Sequence, residues 1–355
     1  MDVAREHPTG RPAWPGGARF AFTVFDDTDL STLETAAPVY DLLTDLGMRV
    51  TKSVWPVAPT RPVHTTGSTC AEPDYLTWVL RLQEAGHEIG YHNATDHSST
   101  RAETIAALDR FRELFGHDPR TGADHSGNRE AICWGPARLS GVRARAYALA
   151  LAAARPGQPV GAGAEPTSPY FWADVLRDRI DYWRNFSFPR IDTLAACPEM
   201  PYHDPRQPYV NRWFAATHAP HRTPFLRVVT PEALDELEDA GGACIVYTHF
   251  GVEFAEEGRL DPRFVRVMED LASRRGWFVP VATLLDHLRA RPGHVDVLDD
   301  RRRARLETRW ALDHLRTRAG SELDKARPAV PGIRCDPTRA VGCARRAVGR
   351  ARRRA

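Results

Sequence analysis

The chain has 355 residues, 42% hydrophobic and 26% charged, enough to bury a large core and too apolar for disorder throughout. Its formal charge of +2 conceals two unlike parts: residues 301–355 hold 17 Lys/Arg against 5 Asp/Glu, a net of +12, which leaves residues 1–300 at −10. The basic stretch reads as a solvated extension, with contact to an anionic membrane surface as its alternative, and no recognition module supports a nucleic-acid partner.

No run of about 18 apolar residues occurs, and the opening MDVAREHPTGRPAWPGG lacks the apolar segment of a secretory signal, so a cytoplasmic protein is expected. Six dispersed cysteines without a C-x-x-C pair (Cys70, Cys133, Cys197, Cys244, Cys335, Cys343) read as reduced structural thiols.

A leader, 1–17, precedes ARFAFTVF (18–25), an apolar run ending in acids. Residues 32–47 then place apolar side chains at helical spacing and stop at Gly47. The alternation continues with a strand over 48–55, a helix over 73–86, a strand over 87–92 and a helix over 100–116 closed by Gly116. Between about 155 and 225 the chain is rich in proline and aromatics, and no period emerges. Helix (230–242), strand (243–251) and helix (262–276) return, and 277–291 closes the body. The pattern predicts a parallel α/β sheet or barrel over 18–295, with a basic, helical or disordered extension over 296–355 and one charged helix at 301–320.

Functional groups of parallel α/β folds gather at the carboxyl ends of strands, and three apolar runs here end in Asp or His: FTVFDD, EIGYH and CIVYTH. Asp26 and Asp27 diverge in extended geometry, so one could bind a metal while the other addresses a water; solvated or helix-capping acids are the plain alternative. His92 and His97 offer imidazole nitrogens suited to zinc, or are simply polar loop residues. With Asp27 they form an Asp-His-His set that leaves room for water and substrate. His249 follows a buried strand and can carry a proton near neutrality, unless it is a satisfied core histidine.

Together these residues resemble the polysaccharide deacetylase (NodB-homology, carbohydrate esterase family four) superfamily over roughly 18–290. TVFDDTD is similar to the family's first motif and AGHEIGYHNATDH to its second, although Asp96 stands where the second histidine belongs and His97 comes one later. Either Asp96 replaces the imidazole or the loop holds an extra residue, and the latter is preferred. The third motif is absent: RTGADHSGNREAICWG takes its place, with Asp124, His125, Asn128 and Arg129 available to rebuild the site or, alternatively, to cap a helix. IVYTH is similar to the last motif.

The resemblance implies a distorted (β/α) barrel of about seven parallel strands. It implies a divalent metal, zinc by expectation, on Asp27, His92 and His97, with Asp26 as base and His249 as acid in amide hydrolysis. The implied substrate is an N-acetylated carbohydrate or glycan precursor, touched by His125, Asn128 and Trp172, the last within an aromatic segment (Tyr170 to Trp213) that either stacks on sugars or packs a core. A catalytically silent barrel that serves as a binding protein is the main alternative. A haloacid-dehalogenase-type phosphatase using Asp27 and Asp29 is a lesser one, since Lys52 and Lys325 are the chain's two lysines and neither sits in a convincing motif.

Overall fold

A computed structural model describes residues 12–63, 65–154 and 160–326. The first eleven residues of the leader and the last part of the basic extension, 327–355, lie outside them. One compact unit runs through His314; in the second unit, Leu315–Ala355, residues 315–326 are helical.

Seven parallel strands close into a barrel: β1 (Phe20–Asp26), β2 (Thr51–Val54), β3 (Glu88–Tyr91), β4 (Thr121–Gly122), β5 (Tyr182–Phe188), β6 (Arg212–His218) and β7 (Ala243–Thr248), in that order, with β7 pairing back onto β1. All seven residues of β1 are buried, as expected of a strand covered on both faces, and this explains its continuous apolar reading. Closure is carried by six register pairs between β1 and β7, from Ala21↔Ala243 to Asp26↔Thr248. Asp26 is also level with Lys52 on β2, so the chain leaves β1, β2 and β7 at one end of the barrel.

Helices α1 (Leu33–Asp45), α2 (Pro73–Glu84) and α3 (Arg101–Phe115) follow the first three strands. Thr32 and Thr35 form a reciprocal capping box at the start of α1, and Thr100 with Glu103 does the same for α3. α1 buries Ala36, Val39, Tyr40 and Leu43 against the barrel, the i, i+3, i+4, i+7 stripe legible in the sequence. Gly116 ends α3 at φ 81°, a left-handed conformation that glycine adopts without steric cost.

The segment without sequence period contains α4 (Gly141–Ala154), α5 (Ala173–Arg179), β5, α6 (Thr193–Ala196) and β6. Beyond it come α7 (Arg222–Val228), α8 (Pro231–Ala240), a short hairpin of β8 (Ala255–Glu256) and β9 (Arg259–Leu260), α9 (Pro262–Ser273), and β10 (Gly276–Trp277), which adds to β1. Then follow α10 (Val281–Ala290) and α11 (Asp300–Ala326), whose Leu306 and Trp310 are core residues. No described helix is long and apolar enough to cross a membrane.

Candidate active site

The residues leaving the carboxyl ends of β1, β3, β4 and β7 meet at one place. Its centre is Asp29, on the loop after β1. His92 Nε2 lies 3.2 Å from Asp29 Oδ2, His249 Nε2 3.0 Å from the same oxygen, and His125 Nε2 2.7 Å from Oδ1. Asp27 stands beside this group, its Oδ2 at 3.8 Å from His92 Nε2 and 3.9 Å from His249 Nε2. His249 is the most accessible of the five, with 17% of its side chain exposed, so the cluster meets solvent on that side.

Local backbone geometry aims these groups. Leu30, directly after Asp29, has φ 59°, and Asn93, directly after His92, has φ 63°. A non-glycine residue in this region stores strain of order 1–3 kcal/mol, here at the two positions that turn the chain away from a site residue. Asn93 also accepts the backbone N–H of His125 through Oδ1 at 2.6 Å, which ties the loop after β3 to the loop after β4.

Two imidazoles are fixed from behind. Asn128 Oδ1 lies 3.2 Å from His125 Nδ1, and the Pro220 carbonyl lies 2.5 Å from His249 Nδ1. Each oxygen accepts the Nδ1 proton and turns Nε2 toward Asp29, the arrangement that prepares an imidazole as a metal ligand. Asn128 is held in turn, its amide nitrogen donating to the Thr95 and His97 carbonyls and to Glu130 Oε1. Behind His92, Nδ1 is buried with no hydrogen-bond partner.

Electrostatics follow from the charge pairs. Asp27 is clamped by Arg184 of β5 through two bonds of 2.7 and 2.6 Å. Burial would raise its carboxyl, but Arg184 and then His92 hold it below the usual range. Burial acts on Asp29 in the same way and is outweighed by His125 and His92, which leaves Asp29 well below the ordinary carboxylate value. Against burial, Asp29 raises His125 to about 9 and holds His249 above its usual value.

Three expected site residues are placed elsewhere. Asp26 is fully enclosed: Oδ2 accepts from Lys52 Nζ at 2.9 Å and Tyr40 Oη at 3.0 Å, and Oδ1 accepts the Phe250 N–H at 2.7 Å. Burial pushes its carboxyl up, while Asp26 holds the equally enclosed Lys52 ammonium above its usual value. Asp26 is 0% exposed, so solvent does not reach either oxygen. His97 turns away, with Nε2 accepting the Thr60 N–H at 2.9 Å and Nδ1 against the Ser98 carbonyl. Asp96 lies nearer, with Oδ1 3.3 Å from His125 Nε2, but it also accepts from Thr65. Trp172 was expected to face substrate; it is 0% exposed, wedged against Tyr91 and Trp183, and donates to the Glu130 carbonyl. Trp183, Trp213, Tyr182 and Phe186 are buried as well, so most of the aromatic segment packs the core.

Arg184 was missed as a site residue, and Asp29 was named only for the phosphatase alternative. Asp29 sits in an irregular loop, and Arg184 interrupts an apolar strand in the stretch where periodicity failed; the one signal was a charged residue between Trp183 and Phe186.

Among solved structures, the chain is similar to two described as polysaccharide deacetylases and to an allantoinase. One from Pseudomonas aeruginosa PAO1, described as probable, shares 13% identity and a TM-score of 0.44, covering 79% of this chain and 95% of its own. One from Mycobacterium smegmatis, described as putative, gives 13% and 0.44, covering 80% and 95%. The Puue allantoinase gives 14% and 0.45, covering 83% and 100%. No family model and no curated protein matches the chain.

Chemically, the donor set suits a divalent cation. Asp27, Asp29 and His249 offer ligand atoms within 4.8 Å of one another, and His92 and His125 add two Nε2 atoms directed at the same carboxylate. A mixture of imidazole nitrogen and carboxylate oxygen, open on one side, is a donor set that a divalent cation could use while keeping a position free, unlike a closed structural site.

Proposed function

We propose that this chain is a metal-dependent hydrolase that cleaves the amide C–N bond of an N-acylated carbohydrate or glycan precursor. The observation that carries the reading is the convergence of three imidazole Nε2 atoms on Asp29, with Asp27 alongside, at the strand ends of a closed parallel barrel.

Asp29 is the residue on which the ion would centre, with His92 and His125 at 3.2 and 2.7 Å from its carboxylate oxygens as the imidazoles that would hold it; Asp27 and His249, which also lie within ligand reach of Asp29, are assigned to the proton transfers. A divalent cation there supplies a Lewis acid that polarises the acyl oxygen and makes a bound water more acidic. Asp27 is the base: the Arg184 fork fixes its carboxylate, and a carboxylate retains lone pairs beyond two such bonds, so Oδ2 can accept the water's proton as oxygen attacks the acyl carbon. His249 is the acid: Pro220 anchors its Nδ1 proton, and Nε2 delivers a proton to the nitrogen as the C–N bond breaks, giving a carboxylate and a free amine. Relative to the motif resemblance, the base moves from Asp26 to Asp27, and the ligand roles of Asp27 and His97 pass to Asp29 and His125.

A haloacid-dehalogenase-type phosphatase needs a lysine beside its nucleophilic aspartate, whereas Lys52 is bound to Asp26 and Ser31 in full burial.

The test is elemental analysis of purified parent, Asp29→Ala and His92→Ala proteins, followed by assay of acetate and amine release from N-acetyl sugars. Near-stoichiometric zinc or a similar ion in the parent, lost in both variants, supports the reading. Negligible metal in all three, even after loading, overturns it and leaves a catalytically silent barrel.

A further inference from the structure

The loop after β4 does more than supply His125. It continues through Cys133, Trp134 and a short 3-10 turn, Gly135–Arg138, and its last residue is unusual among the arginines nearby. Arg143 pairs with Glu307 at 2.6 Å, Arg190 with Asp313 at 2.8 Å, and Arg303 with Asp204. Among the described residues Arg138 has no carboxylate partner. Its guanidinium is flanked by two indoles, with Cζ 5.1 Å from the Trp134 ring centroid and 5.9 Å from that of Trp310. Arg138 Nε and Trp134 Nε1 are both buried donors without an acceptor. Two neighbouring orphan donors in a half-buried setting require an explanation, and an acceptor-rich ligand is one.

The loop reaches the active site through Cys133, whose Sγ lies 3.7 Å from the carbonyl of Arg184, the residue that clamps Asp27. Tyr247 on β7 forms the bridge: its ring packs against His249 at 5.3 Å, against His218 at 5.7 Å, and under the Arg184 guanidinium at 4.2 Å. His218, the last residue of β6, is level with Tyr247 in the sheet and holds Ser187 Oγ at 3.2 Å from Nδ1. Burial first, then the neighbouring His314, Arg184 and Arg138, push the His218 imidazole down to about 4. The acids close by are engaged: Glu307 and Asp313 by the arginines named above, and Asp124 by the backbone N–H groups of Ile132 and Cys133.

We propose that the substrate is anionic, and that Arg138, with the Trp134 indole N–H beside it, binds a phosphate or carboxylate carried by the N-acylated sugar. A guanidinium flanked by two indoles has less side-chain freedom to lose on binding an oxyanion, for which its fork is suited. The position of the reacting amide rests on the hydrolase reading above; the anion site can be tested without it.

Titration calorimetry on the full-length, metal-loaded protein compares N-acetylglucosamine, N-acetylglucosamine 1-phosphate and N-acetylmuramic acid, in the parent, Arg138→Gln and Arg138→Lys. In the parent, the phosphate or the carboxylate sugar binds at least tenfold more tightly than the neutral one, and which of the two does so identifies the anion. The preference collapses toward one in Arg138→Gln and is only partly kept in Arg138→Lys, which restores the charge but not the fork, with metal content unchanged. Equal affinities for charged and neutral sugars in the parent, an undiminished preference in Arg138→Gln, or binding of none of the three overturns the proposal. Metal content and acetate release, read on the same samples, report separately on the hydrolase.

Discussion

Removing the ammonium of Lys52 isolates a carboxylate inside the barrel. Lys52 and Asp26 are both 0% exposed and 2.9 Å apart, so water cannot replace the lost partner. Tyr40 and Phe250 would still donate to Asp26, but two neutral donors do not balance a charge in a medium of low polarity. An exposed pair is worth about 0–1 kcal/mol, whereas breaking a buried pair costs about 3–5 kcal/mol, and Lys52→Met is expected to fall in the latter range. Asp26→Asn should cost a similar amount by stranding the ammonium. The double variant, with neither charge, should recover a large part, giving a coupling of about 2 kcal/mol. Urea unfolding followed by tryptophan fluorescence at pH 7.5 measures all four corners of the cycle. Single costs below about 1 kcal/mol, or strictly additive ones, would refute the view of Asp26 as part of the barrel's foundation and return it to consideration as the base.

Asn128→Ala removes the acceptor behind His125 and three bonds that brace the loop, so metal affinity is expected to fall roughly 10–100-fold; competition with a chromogenic chelator reads this, and an unchanged affinity would show that His125 is not a ligand. Stability should also depend on pH through His87, which accepts the Val50 N–H at Nδ1, lies 3.0 Å from Thr44 Oγ1, and is pushed down to about 4 by burial and then by Arg49. With a folded value below the unfolded one of about 6.5, its contribution is complete above pH 6.5 and is lost as pH falls toward 4, amounting to at most about 3 kcal/mol. The urea midpoint of the parent should therefore drop more steeply between pH 7.5 and 4.5 than that of His87→Gln, and parallel slopes would rule out this source.

What the sequence showed and what it hid have different physical origins. β1, β3 and β7 were legible because they are short apolar runs ended by polar residues, and α1 to α3 because caps and apolar stripes agree. β4 was not, since it is two residues long and Gly122 is there for a steric reason: a Cβ would stand 2.2 Å from Trp183 Cζ3. β5 was hidden by the charged Arg184 within it, which clamps Asp27, and by a register against β6 that shifts between Arg184 and Ser187. The same logic separates the site residues. His92 and His249 sit directly at strand ends, where position alone is informative. Asp29 and His125 depend on loop conformations, Leu30 and Asn93 in left-handed geometry among them, that no periodicity encodes.

Lys52 has one more consequence. Lysines number two in this chain, Lys52 and Lys325, and the former is wholly enclosed against Asp26. Amine-directed reagents are thus excluded from the barrel while it remains closed, and modification at residue 52 marks molecules whose β1–β2 seam has come apart. The scarcity of lysine turns one buried ammonium into a built-in reporter of barrel opening, readable by mass in a population where nearly every molecule is folded.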